Sequence, residues 1–503
     1  MDYSPVADLE LKAWYSFAFA AEGYSVLANG VFFPIILQHM AAHSGVQHSN
    51  HSIPCITNEA YSCDVKFYNY FIDTSSAVFF ATTISVLIQF VLFISLGAIA
   101  DHGNHRKTFL IGFAAISALL GSFIIFATKD AIFLFIFANV FHGASFVFYY
   151  AWVPILTRFH PTVIESNNDP AIREQISNQI SSHGFVVGYL AAVIQLIIAA
   201  VFALAVGSGT QWGVTAVYPL QIGVAFACLW QLITLLTYTN THLKPRPGPP
   251  LPPGENYILY SLKSLRSTLS KAAQLKDLFT FLLGWFIFSD GIFTISTVAI
   301  LYCQSELGVS QSGLIIAAII TPFAAAFGNR IWISIQHHYR WSTKDVLVRQ
   351  SALYCLLPLY GLMGFLTPKG SIGIQAKWEI YVLAFYHGFL LGASQSSCRV
   401  LFSELLPIGH ESEFFSLYEI TDKGSAWIGP LIVGIIGELG DKRYCFWFLL
   451  IMLVMPVFIF SKVDVGRGRL DAIAFVGGKN GDEREEIPLM DRVTGTVEMT
   501  HLN

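Results

Sequence analysis

The chain has 503 residues, of which 54% are hydrophobic and only 12% are charged, and its mean hydropathy is +0.57. Ordinary soluble proteins carry roughly a quarter charged residues, so this composition excludes a soluble protein. A net charge of −4 without a clustered basic region gives no indication of a nucleic-acid partner. The apolar runs are long and do not alternate, which excludes a β-barrel and predicts membrane-spanning helices of about 20 residues each.

We predict an all-α integral membrane protein with about twelve transmembrane helices in two six-helix bundles. The expected spans, in chain order, lie near 14–37, 76–100, 108–128, 131–154, 182–206, 216–238, 278–302, 311–335, 346–367, 379–401, 414–437 and 444–462. They divide the chain into an N-terminal segment (1–13), a first bundle (14–238), a linker (239–277), a second bundle (278–462) and a tail (463–503). We expect no cleaved signal peptide, because acidic residues precede a first apolar run that is too long for one.

The distribution of basic residues predicts the orientation. With an even number of spans both termini lie on one side, and most of the 29 Lys and Arg residues fall in the tails and loops of that side. The positive-inside rule therefore places both termini in the cytosol. The 38–75 loop then faces a lumen, where Asn50 heads an N-glycosylation sequon and Cys55 and Cys63 are candidates for a disulfide.

Two segments outside the spans differ from the rest in composition. The linker contains a Pro-rich run at 244–254 followed by basic residues, and we interpret it as a semi-rigid connection between the bundles. The alternatives are a site for a proline-recognising partner or for anionic lipid. The polar, charged tail after 463 is expected to be disordered. It contains a loose match to an acidic dileucine sorting signal at 485–490. The spacing of four luminal histidines, His39, His43, His48 and His51, could allow metal binding or acid sensing. Because their loop lacks paired cysteine ligands at zinc spacing, we expect no metal and no cofactor.

The two halves share short polar motifs in corresponding helices. Glu22-Gly23 in the first span matches Asp290-Gly291 in the seventh, and His142-Gly143 in the fourth matches His387-Gly388 in the tenth. Polar, glycine-interrupted helices at matching positions of internal repeats are typical of a transport site at the middle of the membrane.

The loop between the second and third spans contains Gly97, Asp101, Gly103, Arg106 and Lys107. It resembles the signature loop of the major facilitator superfamily, in which the aspartate and basic residues hold neighbouring helices together in one access state. The resemblance implies the major facilitator fold, with two pseudo-symmetric bundles, and a conformational clasp formed by Asp101, Arg106 and Lys107.

The second half carries more specific motifs. These are SCRVLFSELLP at 397–407, EFFSLY at 413–418, DKGS at 422–425 and IGP at 428–430, supported by stretches at 10–15, 182–189 and 288–291. Together they resemble the autophagy-related vacuolar effluxer family, number twenty-two in the autophagy-related naming, over nearly all of residues 8–462. The resemblance implies a vacuolar membrane protein that exports amino acids from the lumen after autophagic breakdown.

Ionisable side chains at membrane depth are costly unless they are paired or functional. We therefore take Glu22 and Asp290 as candidates for binding the substrate ammonium or a proton, with Asn29 and Thr294 on the same helix faces. The alternative is that the two acids only tie helices together. His142 and His387 are candidates for a proton relay, with His142 facing Glu22 and His387 facing Asp290, although membrane histidines are more often packing residues.

Four further charges belong to the second half. We interpret Arg399 with Glu404, and Asp422 beside Lys423, as structural pairs near the cytosolic ends of their helices, where pairing is cheap.

The pattern favours a gradient-driven carrier over other classes. The sequence has no P-loop for an ATP-driven pump and no cluster of nucleophile, base or metal ligands for an enzyme. The rival hypotheses are a sensor or scaffold that retains a carrier fold, and a carrier of another small solute. The expected partners are an amino-acid substrate, protons and the lipid bilayer.

Overall fold

The computed structural model describes most of the chain. The described residues are 4–47, 50–55, 63–67, 70–127, 132–206, 217–250, 260, 263, 272–305, 307–309, 311–366, 372–425, 428–439 and 442–479. Helices dominate, as the composition predicts.

The first bundle contains six long helices. The first of them, α1, is continuous from Asp8 to His43 and includes a π-helical segment over Tyr24–Phe32. The other helices are α2 (Thr74–Ala100), α3 (His105–Ser122), α4 (Ile132–Arg158), α5 (Pro170–Val206) and α6 (Tyr218–His242).

The second bundle repeats this arrangement. Two of its spans are interrupted: α9 breaks at Cys355, and the eleventh span consists of two helices, α11a and α11b. The helices are α7 (Lys276–Ser305), α8 (Gln311–Tyr339), α9 (Thr343–Tyr354 and Leu356–Met363), α10 (Glu379–Glu404), α11a (Glu411–Ser425), α11b (Ile428–Leu439), α12 (Cys445–Lys462) and α13 (Val465–Lys479).

Ten helices within the described residues are long and apolar enough to cross a membrane. They match ten of the predicted spans. The remaining two predicted spans correspond to α10 and to α11a with α11b. In α10 the apolar sequence is interrupted by buried charges, Glu379, Arg399 and Glu404, and the eleventh span is divided into two shorter helices.

The bundles pack through large aromatic residues and small ones. Trp14 of α1 stacks on Tyr149 of α4 with ring centroids 4.5 Å apart, and Gly184 of α5 leaves room for the Trp14 ring. Between the bundles, α2 packs against α11a and α5 packs against α8. We call the membrane face that carries the 101–107 loop the clasp face.

The opposite face carries a small sheet that the sequence did not predict. Its strands are β1 (Val46–Gln47), β2 (Asn50–Pro54), β3 (Cys63–Phe67) and β4 (Tyr70–Asp73), in the antiparallel order β2-β1-β3-β4. Each strand has at most five residues, too few for a clear period-two pattern. We call this the sheet face.

The prediction of a wholly disordered tail is wrong for residues 465–479. These residues form α13, which buries Phe475 beside Phe414 of α11a. Arg467 of α13 also forms an ion pair with Asp277 of α7, with Nε and Oδ2 2.6 Å apart. The stabilising contacts come from other parts of the fold, so local composition did not reveal them. The 485–490 sorting motif lies outside the described residues.

The first residues of the linker are docked rather than free. Arg246 forms a bidentate, buried ion pair with Glu10, at 2.7 Å and 2.9 Å. The backbone N–H of Gly248 donates to Gly103, and that of Gly103 donates to Pro249. The linker therefore packs on the N-terminal segment and on the loop that was predicted to be a clasp.

Candidate functional site

The loop between α2 and α3 joins the two bundles on the clasp face. Both carboxylate oxygens of Asp101 accept hydrogen bonds from the first turn of α11a, from the N–H of Ser412 at 2.8 Å and that of Glu413 at 2.9 Å. Arg106 donates to Asp101 at 2.6 Å. The carboxylate satisfies N–H groups that have no partner inside their own helix and interacts favourably with the positive end of the helix dipole.

Arg106 extends the same connection. Its Nη2 lies 3.5 Å from Glu411, and its Nε donates to the Ser412 hydroxyl at 3.1 Å. Glu411 also pairs with Arg158 of α4 at 3.0 Å. Burial disfavours ionisation of Glu411, but the charges of Arg158 and Arg106 outweigh it and lower the pKa of this carboxyl. We call Asp101, Arg106, Arg158 and Glu411 the clasp.

Lys107 was predicted to belong to the clasp, but it makes its hydrogen bond inside the first bundle. Its Nζ donates to the backbone carbonyl of Asn240, at the end of α6, at 2.8 Å. The bridge between bundles thus depends on Asp101 and Arg106.

A second set of ion pairs lies on the same face. Glu404, at the end of α10, pairs with Arg173 of α5 at 2.9 Å and with Arg469 of α13 at 2.6 Å. Glu174 of α5 accepts from both the N–H and the hydroxyl of Thr343. Residues of both bundles and of α13 therefore converge here and hold the clasp face closed.

The predicted pairing of Arg399 with Glu404 is wrong. The two residues are five apart on α10, and positions five apart do not share a helix face. Glu404 points to Arg173 and Arg469, whereas Arg399 points between the bundles, where it is 2% exposed.

Arg399 is surrounded by aromatic rings of the first bundle. Its Cζ lies 3.7 Å from the ring centroid of Tyr150, 4.2 Å from that of Phe185 and 5.6 Å from that of Tyr149. Its Nη1 is buried without a hydrogen-bond partner. We call these three rings with Arg399 the Arg399 cage. The sequence offered one signal for an unusual role, because no acidic residue lies three or four positions from Arg399 on its helix.

Three buried carboxyl groups lie within electrostatic range of this region. Glu22 of α1 interacts with Arg399 and Lys423, and Glu419 and Asp422 of α11a interact with Lys423. Lys423 lies 3.7 Å from Glu419, so its ion pair is with Glu419, although it had been assigned to Asp422. Oδ1 of Asp422 is buried without a hydrogen-bond partner.

The two acids of the repeat occupy equivalent places. Glu22 of α1 packs on Gly188 of α5, where a Cβ would collide with the glutamate side chain. Asp290 of α7 packs on Gly429 of α11b, whose N–H donates to Asp290 at 3.2 Å, and Thr294 donates to Asp290 at 3.5 Å. In each bundle a buried acid on the first helix thus lies against a glycine of the fifth.

The histidines of the repeat are also equivalent, but the structure does not place His142 on Glu22 or His387 on Asp290. His142 Nε2 lies 2.7 Å from the Ser25 hydroxyl, and His387 Nε2 lies 3.4 Å from the Ser296 hydroxyl. Nδ1 of each ring is buried without a hydrogen-bond partner. The first and fourth helices of each bundle therefore meet through a Ser–His pair. A proton relay would have to pass through Ser25 in the first bundle.

Asn29 of α1, seven residues after Glu22, lies close to α4. Its amide donates to the side chain of Asn139 at 3.4 Å, while its Oδ1 is buried without a partner.

The sheet face carries the residues predicted for a lumen. Cys55 and Cys63 are joined in a disulfide, with Cα atoms 5.9 Å apart. Asn50 is exposed on β2, and its side chain accepts from the N–H of Ser52 at 3.0 Å. The sequon is thus accessible at the surface.

Two six-helix bundles, a clasp on one face and buried charges between the halves define the class of protein. The solved structure of the proton:xylose symporter of the major facilitator superfamily aligns with 93% of this chain and 99% of its own, with a TM-score of 0.63 at 13% identity. A bacterial homologue of the iron transporter ferroportin, in its outward-facing state, covers 91% of this chain and 99% of its own, with a TM-score of 0.60 at 13% identity. The fold is that of a major facilitator transporter.

The family follows from closer relatives. The family model "Vacuole effluxer Atg22 like" matches residues 8–473, and the chain belongs to this family. It is 34% identical to autophagy-related protein 22 of Coccidioides immitis, over 94% of this chain and 89% of that protein. It is 30% identical to autophagy-related protein 22-1 of Aspergillus niger, over 98% of this chain and 94% of that protein. The protein is accordingly a multi-pass membrane transporter and not an enzyme.

Proposed function

We propose that the protein is a secondary carrier of the vacuolar membrane that releases neutral amino acids such as leucine, isoleucine and tyrosine into the cytosol. The clasp face is cytosolic in this proposal and the sheet face is luminal. The location and direction draw support from the family description and from the distribution of basic residues.

The observation that carries the proposal is the buried, incompletely paired charge between the bundles. Glu22, Arg399 and Asp422 are at least 91% buried, and two of them have a polar atom without a partner. Unpaired buried charge costs several kcal/mol per ion, so a fold retains it only where a ligand or a conformational change compensates.

Transport would require the clasp to break. The clasp and the Glu404 ion pairs hold the cytosolic face closed, which is the state that takes up solute from the lumen. Separation of Asp101 and Arg106 from α11a would open the cytosolic face and release the solute. The same site then becomes accessible from each side in turn.

The test is counterflow in proteoliposomes that contain the purified full chain. We expect saturable uptake of labelled leucine into vesicles preloaded with unlabelled leucine, and a smaller response to arginine, glutamate and glucose. Glu22→Gln is expected to reduce exchange strongly. Thr108→Val is the control, because Thr108 is exposed and bonds only its own helix.

The same assay distinguishes the rival functions. Exchange of a sugar or an inorganic ion in place of leucine would assign a different substrate. No exchange across the whole panel would favour a sensor that retains the carrier fold. Repeating the uptake with an imposed pH gradient tests proton coupling, and a leucine flux that ignores the gradient in both the wild type and Glu22→Gln would remove the proton from the proposal.

A further inference from the structure

We propose that Arg399 binds the carboxylate of the transported solute and that Asp422 accepts its ammonium group, so that the site selects a free, zwitterionic α-amino acid. This inference rests on the proposed transport function and assigns its ligand contacts. Arg399 lies on α10, five residues before Glu404 at its end, and Asp422 lies on α11a; both side chains are buried.

The surroundings of Arg399 leave its hydrogen-bonding edge available. The faces of the guanidinium are covered by Tyr150 at 3.7 Å and Phe185 at 4.2 Å, which stabilise the cation through their π-systems. These contacts fix the plane of the group, and its Nη1 is buried without a hydrogen-bond partner. Arg399 has no carboxylate within 4.0 Å among the described residues, whereas the arginines of the clasp do.

A carboxylate is the ligand that fits such a group. The planar guanidinium presents parallel donors that match the two oxygens of a carboxylate, and such charge-assisted pairs are among the strongest hydrogen bonds in proteins. The aromatic faces exclude water and hold the group in place, which lowers the entropic cost of binding.

A complementary group, an acidic acceptor that lacks a donor, lies on α11a. Oδ1 of Asp422 has no donor, and the nearby cation Lys423 is paired with Glu419. An ammonium group provides three donors and a positive charge. A solute that carries a carboxylate and an ammonium group would therefore provide a partner for Arg399 and for Asp422 at the same time.

The two unpartnered groups favour a zwitterion over a simple ion, because Nη1 of Arg399 requires an acceptor and Oδ1 of Asp422 requires a donor. A simple anion would leave Asp422 unsatisfied, and a simple cation would leave Arg399 unsatisfied.

The neighbouring rings indicate an apolar side chain for the solute. Tyr418 of α11a stacks on Trp285 of α7 with centroids 4.9 Å apart, and Tyr150 lies across the bundle interface from Tyr418, at 6.4 Å.

The experiment compares leucine with two analogues in the counterflow assay. Leucinamide lacks the carboxylate, and N-acetyl-leucine lacks the ammonium. The wild type should exchange leucine and reject both analogues. Arg399→Met should raise the KM for leucine about 10- to 100-fold, the effect of losing a charge-assisted pair, and should abolish the preference for leucine over leucinamide. Arg399→Lys should lie between the two.

Asp422→Asn should instead reduce the discrimination against N-acetyl-leucine. The matched control is Arg349→Met, because the guanidinium of Arg349 also stacks on an aromatic ring, Trp341, at 3.9 Å, but is exposed in the first two turns of α9. This control should leave the KM and both preferences unchanged.

The outcomes separate the inference from the proposed function. If the wild type exchanges leucinamide as well as leucine, or if Arg399→Met or Arg399→Lys keeps the wild-type KM and preference, the assignment is overturned while amino-acid transport stands. If Arg399→Met fails to fold, the wild-type analogue comparison, Arg399→Lys and Asp422→Asn decide. If the wild type exchanges no amino acid, the proposed function itself fails.

Discussion

The clasp is the clearest mechanical element of the structure, and its removal is expected to open the cytosolic face. Asp101→Ala deletes two hydrogen bonds between a charged carboxylate and the N–H groups of Ser412 and Glu413. It also deletes the pair with Arg106, which stays 3.5 Å from Glu411. Hydrogen bonds to charged groups contribute about 1.5–3 kcal/mol each, so the loss to the closed state is about 3 kcal/mol even at the lower limit.

This loss is large on the scale of a conformational equilibrium. About 1.4 kcal/mol changes a population ratio tenfold, so about 3 kcal/mol shifts it more than 100-fold toward the open state. A closed state that is favoured by less than this energy would become the minor one.

The shift can be measured as a distance across the clasp face. Spin labels at Asn104, at the exposed start of α3, and at Ile408, exposed between α10 and α11a, report on the two bundles. We expect one short distance in the wild type and a second, longer one in Asp101→Ala in lipid nanodiscs. Pulsed electron–electron double resonance between the two labels resolves the two populations.

The neighbouring residue provides the control. Lys107→Ala removes a hydrogen bond of the same loop that stays within the first bundle, to the carbonyl of Asn240. It should leave the distance distribution unchanged. An unchanged distribution in Asp101→Ala, or an equal shift in Lys107→Ala, would refute the account of the clasp.

Three further predictions concern α13, the disulfide of the sheet and the pH dependence of the clasp. Arg469→Ala should loosen α13, because Arg469 pairs with the buried Glu404. Amide exchange over 465–479 should become faster while exchange in α12 stays unchanged; unchanged exchange over 465–479 would contradict the docking. Cys55→Ser should destabilise the sheet by about 2 kcal/mol, since the disulfide closes a short loop. Proteolysis within the sheet should become faster; an unaltered digestion pattern would contradict this prediction. Burial raises the pKa of Asp101, whereas Arg158 and Arg106 lower the pKa of Glu411. As the pH falls, the first shift favours the closed clasp and the second disfavours it, so the clasp distance should change little between about pH 7.5 and about pH 5.5; a predominant longer distance at the lower pH would contradict this balance.

The sequence allowed most of the helical architecture to be predicted, because long apolar runs have few alternative structures. Ten of the predicted spans coincide with helices of the described residues that are long and apolar enough to cross a membrane. The motif at 97–107 was expected to hold neighbouring helices together; its Asp101 accepts hydrogen bonds from α11a, whereas its Lys107 donates within the first bundle. The small sheet was missed since its strands are short and are held partly by the disulfide.

The charges were harder to predict, because pairing depends on which helices are neighbours. Arg399 and Glu404 are close in sequence and face different directions, whereas Glu404 and Arg173 are 231 positions apart and form an ion pair. The same limit applies to His142, whose partner is Ser25 of α1 rather than the acid one turn earlier. Ion pairs with other parts of the fold also explain why residues 465–479 form α13, although their composition predicted disorder.

The central claim is that a solute crosses by alternating exposure of one site between the bundles. The most direct test is efflux of labelled leucine from preloaded proteoliposomes, with and without unlabelled leucine outside. A carrier of this kind returns faster when loaded, so external leucine should accelerate efflux severalfold in the wild type, and Arg399→Met should lose the acceleration. Efflux that ignores external leucine, or that equals the rate in protein-free vesicles, would contradict the account.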